Sequence, residues 1–338
     1  MPKTIVMGNP AFFSVRGGAN PHTRTALGTK KRVDPELARQ QWHRMAKILI
    51  AHGCEVLVID PKPELTGLVY PANAGFLYPV ADSPSKTPGP EPPQRFYLAN
   101  LLPTRAGERP VYQWFLSALG LTTSELRSRF EGEADFFPAG RHMIFTYGRI
   151  EQQRFVPRFG LPPWKRIYGF RSEKRALGEL ERIVTDRPIL ALELCQEAYY
   201  HGDTLLCSFG AERQYLMVYM EALTAESRSS LARAFGEKLL EISEADAALY
   251  AANSFQTDFE GRCYLFLPGG VSQRLLDAVR ERGVEPVTAD VSEFLAKGGG
   301  SVKCMILDLG QSAELPDHPG ASAFRAERNY MKLFAEQA

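Results

Sequence analysis

Hydrophobic and polar positions along this chain follow two periods in turn, a two-residue alternation and a three-to-four-residue recurrence. That switching predicts an α/β protein. Residues 4–7 read as a short buried strand. Residues 34–52 read as a helix: Asp34 suits the N-cap, Pro35 the first helical position, and Gly53 the stop. Leu37, Gln41, Met45 and Leu49 share one face, joined by Trp42 and Ala46. Residues 54–59 alternate as a strand ending at Asp60-Pro61, and 67–70 and 76–80 are strand candidates flanking Ala72-Asn73-Ala74-Gly75. Further helices are predicted at 110–119, 172–183, 224–240, 272–282 and 321–336, and further strands at 189–194, 216–220, 263–267 and 304–309.

Two features qualify this pattern. Residues 82–94 contain Pro84, Pro88, Pro90, Pro92 and Pro93, the composition of an extended loop, read as a surface insertion with a lid as the alternative. Residues 51–60 and 281–290 echo each other: both run helix, Gly, Glu, strand, Asp, which suggests repeated β/α modules. No charge run or Ser/Gly linker divides the 338 residues, so a single α/β domain over 1–338 is expected.

Composition narrows the function. Apolar residues are 44%, charged residues 23% and the net charge is +1, so no general electrostatic pull towards nucleic acid or anionic lipid is expected. No apolar run is long enough for a membrane helix, and the first residues lack the apolar stretch of a secretory signal. Cys54, Cys195, Cys207, Cys263 and Cys304 are odd in number and contain no Cys-x-x-Cys pair. Both facts suit a reduced, cytoplasmic protein without a structural zinc.

Candidate chemistry gathers where polar residues meet glycine. Gly298-Gly299-Gly300 precede Cys304, and glycines there would clear space in front of the thiol. Cys304 reads either as a buried strand thiol or as a nucleophile, which would need a nearby cation to become thiolate. His201 and Asp203 would share a face if they lay on a strand, and a carboxylate beside an imidazole orients it for proton transfer. A metal held by His201, Asp203 and Cys207 is the weaker reading, for want of a second ligand pair. Glu131, Glu133 and Asp135, set among Phe130, Phe136 and Phe137, would repel one another unless a cation joins them. They suggest a cationic ligand, with a solvated acidic turn as the alternative.

Taken in order, these stretches resemble the guanidino-group-modifying enzymes of the pentein fold. The matching motifs are Asn20-Pro21-His22, Ala72-Asn73-Ala74-Gly75, Phe130-Glu131-Gly132 through Asp135, Gly169-Phe170-Arg171-Ser172, His201-Gly202-Asp203-Thr204, and Gly298-Gly299-Gly300 to Cys304-Met305. The resemblance runs from about residue 8 to 309. It implies a five-bladed α/β propeller of ββαβ units with a central site. It also implies Cys304 as nucleophile, His201 as general acid/base and Glu131 as the acid that grips a guanidinium. Asn73, Asp203, Arg171, Asp135 and Asn20 are implied substrate-binding positions, with Arg171 matching an arginine that binds a substrate carboxylate in some members. Asn73 stands where many members carry Asp, and arginine dihydrolases resemble this sequence in having Asn there. Five positions depart from the usual pattern: Ser14, His22, Thr23, Gly202, and Glu133, whose presence leaves Glu131 and Glu133 as rival guanidinium acids.

The expected reaction is hydrolysis of a guanidine C–N bond in arginine or a related cation, through an amidino-cysteine intermediate and without metal or organic cofactor. Amidino transfer to an amine acceptor is the enzymatic alternative, since 130–136 and Pro138-Ala139-Gly140-Arg141 also resemble amidinotransferases. A non-catalytic, ribosome-binding pentein is the alternative of another class, disfavoured by the presence of both Cys304 and His201.

Overall fold

A computed structural model of the chain describes residues 2–17, 20–25, 28–79, 94–151, 153–158 and 161–335. The predicted proline-rich segment lies, but for Gln94, outside the described residues.

Five three-stranded sheets share one plan. In each, a central strand pairs antiparallel with one neighbour and parallel with the other. Lys3–Gly8 lies between Leu307–Gln311 and Cys54–Ile59. Arg95–Leu98 lies between Gly75–Tyr78 and Thr122–Glu125. His142–Tyr147 lies between Phe136–Ala139 and Ile189–Glu193. Tyr215–Val218 lies between Leu206–Phe209 and Leu239–Glu241. Arg262–Pro268 lies between Phe255–Phe259 and Glu285–Ala289. Parallel neighbours need a crossover, supplied in turn by helices Pro35–Ala51, Arg109–Ala118, Leu177–Ile183, Ala225–Phe235 and Gln273–Arg280. A separate hairpin pairs Arg154–Arg158 with Leu161–Ile167. No helix among the described residues is long and apolar enough to cross a membrane.

The first crossover shows how sequence builds the plan. Asp34 caps helix Pro35–Ala51 by accepting from the Glu36 and Leu37 amides. The helix buries Ala38, Gln41, Trp42, Met45, Ala46 and Leu49. Leu37, expected on that face, is 37% exposed; Ala38 takes its place. Buried Gln41 is satisfied by Ser292 Oγ and the Glu293 amide, both at 2.9 Å. Gly53 and Gly283 then turn at φ +82° and +75° into Cys54–Ile59 and Glu285–Ala289, so the sequence echo marks equivalent outer strands of two sheets.

Several elements differ from expectation for local reasons. The strand expected at 67–70 is the 3-10 helix Thr66–Val69, lying across Gly8 so closely that a Cβ there would meet the Leu68 carbonyl at 1.9 Å. The helix expected at 224–240 stops at Phe235, where Gly236 takes φ +51°, and the chain continues into Leu239–Glu241. The one expected at 321–336 breaks at Asn329, which bridges to Leu57 and caps Tyr330–Leu333. The one expected at 172–183 becomes regular only at Leu177, leaving Ser172 free to bond elsewhere.

Candidate active site

Each sheet's inner strand is entered through a tight turn, and these five turns carry the polar residues. Pro71–Ala74 carries Asn73, Gly132–Ala134 follows Glu131 and contains Glu133, and Gly202–Thr204 follows His201 and contains Asp203. Lys303–Met305 contains Cys304, and Asn253 lies just before Phe255–Phe259. The strand placements expected for Cys304, for the His201/Asp203 pair and for the three carboxylates are therefore corrected to turns. A turn spreads neighbouring side chains in different directions, so residues two apart do not share a face as they would on a strand.

Close approach between the turns explains two glycines. At Gly132, φ is +65° and a Cβ would lie 2.6 Å from the Gly75 nitrogen. At Gly202 a Cβ would lie 2.3 Å from Thr146 Oγ1, so Thr146 occupies the room that an apolar residue at 202 would need.

A cavity of about 430 Å³ opens beside the turns, and Asn73, Glu131, Arg171, His201, Cys304 and Asn20 line it. Cys304 is buried but polar in its surroundings. Its Sγ donates to Asp203 Oδ2 at 3.4 Å and accepts from Asn253 Nδ2 at 3.2 Å. Burial, and then the Asp203 carboxylate, push the thiol well above its ordinary range, while Asn253 and the Ser301 backbone oppose them. Asp203 is itself pushed up to about 6, by burial and by Asp135, against the opposing charges of His201 and Lys303. Its Oδ1 has no hydrogen-bond partner among the described residues.

His201 Nε2 meets Glu131 Oε2 at 2.9 Å, with Asn73 Nδ2 at 3.5 Å. The carboxylate at the imidazole is thus Glu131, whereas Asp203 meets the thiol. Burial works to raise Glu131, but the bond and charge of His201, together with Arg105 and Arg171, outweigh it and hold the carboxyl at about 2. Glu131 Oε1 also accepts from the Leu102 amide at 3.1 Å.

The remaining expected positions divide. Arg171 lies with its guanidinium 4.8 Å from the Tyr200 ring, donating to the Gly169 carbonyl at 3.0 Å. Asn20 donates to the Gly298 carbonyl at 2.8 Å and to Tyr200 Oη at 3.2 Å. Asp203, expected to bind substrate, is not among the described residues lining this cavity, and neither is Asp135. The Asp135 oxygens accept from Thr146 Oγ1 and Ser172 Oγ, each at 2.6 Å, and from the Gly202 amide at 2.9 Å, so Asp135 braces the turns behind His201. Glu133 turns away and pairs with Lys303. The glycines before Cys304 also have another use. A Cβ on Gly298 would meet Tyr70 Oη at 1.9 Å and one on Gly299 would meet Asn20 Oδ1 at 2.7 Å, so they admit protein side chains, while Gly298 and Gly300 also line the cavity. Cys207 donates to the Ser208 and Ser254 carbonyls, and no metal-holding cluster of His, Cys, Asp or Glu occurs among the described residues.

Three site residues had been given no role in the sequence, though Tyr200 adjoins His201 in its motif. Asn253 Oδ1 accepts from the Cys304 amide at 3.0 Å and the Ser301 amide at 3.2 Å, fixing the turn that carries Cys304. Arg105 binds Glu108 at 2.6 Å and gives Asn73 Oδ1 a bond of 2.8 Å. Tyr200 Oη donates to the Gly299 carbonyl at 2.6 Å. Asn253 had a signal: Ala252-Asn253 repeats Ala72-Asn73 at the equivalent turn of another sheet. Arg105 had none.

Comparison with known proteins agrees with this geometry. Residues 173–311 match the family model described as N,N dimethylarginine dimethylhydrolase, eukaryotic. N(G),N(G)-dimethylarginine dimethylaminohydrolase of Mycobacterium tuberculosis is 28% identical over 311 residues, 91% of this chain and 87% of the relative. The bifunctional arginine dihydrolase/ornithine cyclodeaminase AgrE of Nostoc sp. is 28% identical over 307 residues, 90% of this chain but only 37% of the relative. The crystal structure of a cysteine-to-alanine mutant of AgrE with L-arginine superposes with a TM-score of 0.73 at 25% identity, covering 91% of this chain and 40% of that one. The N-terminal domain of an ArgZ variant covalently bonded to a reaction intermediate shares the fold, with a TM-score of 0.73 at 23% identity over 91% of this chain and 98% of that one. The ordered motifs and these relatives together support a guanidino-modifying, pentein-like assignment for the chain.

Proposed function

We propose that this protein hydrolyses a guanidine C–N bond of arginine or an N-substituted arginine, with Cys304 as the nucleophile. The observation that carries the reading is that a thiol, an imidazole and a carboxylate from three turns line one cavity, with Asp203 against the thiol at 3.4 Å. In the same reading the five sheets are the blades of a single-domain propeller, and the protein works in the cytoplasm.

A guanidinium is planar, cationic and a poor electrophile. Glu131 supplies acceptors that match its N–H fork, Asn73 presents a second polar edge, and Asp203 stands against the thiol. Without substrate the thiol is held protonated by burial and by Asp203. A bound cation reverses that balance, because an adjacent positive charge favours thiolate. The thiolate adds to the central carbon; His201, as the acid, protonates the departing amine; and His201 then takes a proton from the water that resolves the amidino-thioether. Arg171, buried at the cavity wall, is suited to a carboxylate at the far end of the substrate.

The test is a panel of guanidino compounds, incubated with and without an amine acceptor and scored for ammonia, alkylamine, urea-type and transferred-amidine products. Intact mass should show an adduct that maps to Cys304. Ammonia from arginine would point to dihydrolase or deiminase chemistry, and alkylamine from methylated arginine to the other hydrolytic branch. A transferred amidine would replace hydrolysis with the amidinotransferase reading.

A further inference from the structure

On the far side of the Cys304–Asp203 contact lies a second cavity, of about 90 Å³, which shares no lining residue with the first. Asp203, Glu133 and Lys303 reach it from three of the five turns, and Asp308 from the strand Leu307–Gln311. Lys303 Nζ pairs with Glu133 and donates to the Ile306 carbonyl at 3.0 Å; Glu133 also accepts from the Asp308 amide at 3.2 Å. A buried water needs only about 10–15 Å³ of such space, so the cavity is large enough for a short chain of them. The side chains of Lys303 and Glu133 keep 14% and 11% of their surface accessible, while Asp203 is 3% exposed as a whole. The route from Asp203 to the pair thus runs from interior to solvent.

The proposed reaction leaves one proton to account for. When a guanidinium fills the first cavity, the Cys304 thiol gives up its proton just as the substrate closes that exit. Asp203 Oδ2 already accepts from the thiol at 3.4 Å, and its other oxygen has no partner among the described residues. We propose that the second cavity is a proton port for the nucleophile, in which Glu133, paired with Lys303, exchanges with solvent the proton that Asp203 takes from Cys304. This rests on the hydrolase reading. The S–H bond breaks as an O–H bond forms on the Asp203 carboxylate. That proton passes through water to the Glu133 carboxylate and then to bulk water, and the sequence reverses when the free thiol is restored. No electrons move.

The charged surroundings suit the role. Glu133 is faced by Lys303 and Asp308, and Asp203 by His201, Lys303, Asp135 and Cys304. Asp308 is itself paired with Lys3 at 3.0 Å, and Arg213 and Cys207 complete the polar wall. Burial, helped by Asp308 and opposed by Lys303, pushes Glu133 up to about 7, so this carboxyl can both hold and release a proton near neutrality.

The test uses the full chain and two rates: turnover of a guanidino compound, and modification of Cys304 by a cationic haloacetamidine, which requires proton loss but no hydrolysis. In Glu133→Gln both rates should fall by about a hundredfold with KM unchanged. Acetate should restore Glu133→Ala but not Glu133→Gln, and Lys303→Arg should keep both rates. In wild-type protein, modification in mixtures of light and heavy water should show more than one proton in flight, a readout that needs no variant. Unchanged rates in Glu133→Gln, a loss that acetate does not touch, or a single-proton dependence would each overturn the port. If no guanidino compound turns over, the hydrolase reading fails by itself, and the modification arm still decides the port.

Discussion

Glu131 and Glu133 are two residues apart on one turn, both buried, yet their carboxyls are driven in opposite directions. Glu131 is held at about 2, because His201, Arg105 and Arg171 outweigh the cost of burial. Glu133 is pushed up to about 7, because burial and Asp308 outweigh Lys303. One side of the turn therefore presents a fixed anion to the cavity with Cys304. The other side presents a group that can change its proton. Burial alone does not set the role of a carboxyl; the number of cations that the tertiary structure brings to it does. Of the two residues whose claims the sequence leaves open, Glu131 lines the candidate site and Glu133 lines the other cavity.

The comparison is broken most severely at the thiol. Cys304→Ser should lower turnover by about four orders of magnitude or more and abolish the covalent adduct; an intact-mass time course beside a product assay decides it. A variant that kept turnover would leave Glu131 no nucleophile to serve. Next, His201→Ala and Glu131→Gln should each cost about a hundredfold or more in turnover. The Glu131 change also leaves His201 and Arg105 without a shared anion, so its effect should appear in both kcat and KM. Equal losses in Glu131→Gln and Glu133→Gln, alike in KM and in response to acetate, would erase the distinction between the two sides.

Asn253→Ala should act more mildly. It frees the Cys304 and Ser301 amides and removes a donor to the sulfur. A cost of about 1–3 kcal/mol in stability is expected from the unsatisfied amides, read by chemical denaturation, with a smaller loss of kcat than at Glu131.

The smallest effect is on the pH dependence of stability. Glu131 has a folded pKa below the ordinary 4.5, so its contribution is present above about pH 4.5 and is lost as pH falls towards about 2. Glu133 has a folded pKa above 4.5, so its contribution is present below about pH 4.5 and is lost as pH rises through about 7. Plotted against pH, the Tm difference between wild type and Glu131→Gln should therefore change in the acid range. The difference for Glu133→Gln should change between about pH 4.5 and 7, with wild type losing ground as pH rises. Parallel curves would mean that the two carboxyls share one environment.

Much of the fold was legible because it is locally encoded. Asp34-Pro35 and Gly53 bound a helix that runs from Pro35 to Ala51, and Cys54–Ile59 matches its predicted strand. The echo between 51–60 and 281–290 marked equivalent modules because each sheet repeats the same helix-to-outer-strand step. The site residues were legible as types beside glycine, but their directions were not. A period-two reading placed His201 with Asp203, and Glu131 with Glu133 and Asp135, on common faces; the 3-10 turns send them apart. Arg105 was silent because its meaning lies in Glu108, Asn73 and Glu131, the last two far from it in the chain.

The sequence by itself determined many of the helices and strands, and it supplied a thiol, an imidazole and acids in an order that resembles the guanidino-modifying pentein enzymes. Helix caps, periodicity and glycine turns act over a few residues, so they can be read along the chain. Only the tertiary structure decided that Glu131 meets His201, that Asp203 meets Cys304, and that Glu133 turns to a cavity of its own. Those pairings span 70, 101 and 170 positions of sequence, and their electrostatics depend on desolvation and neighbouring charge, which exist only once the sheets have packed.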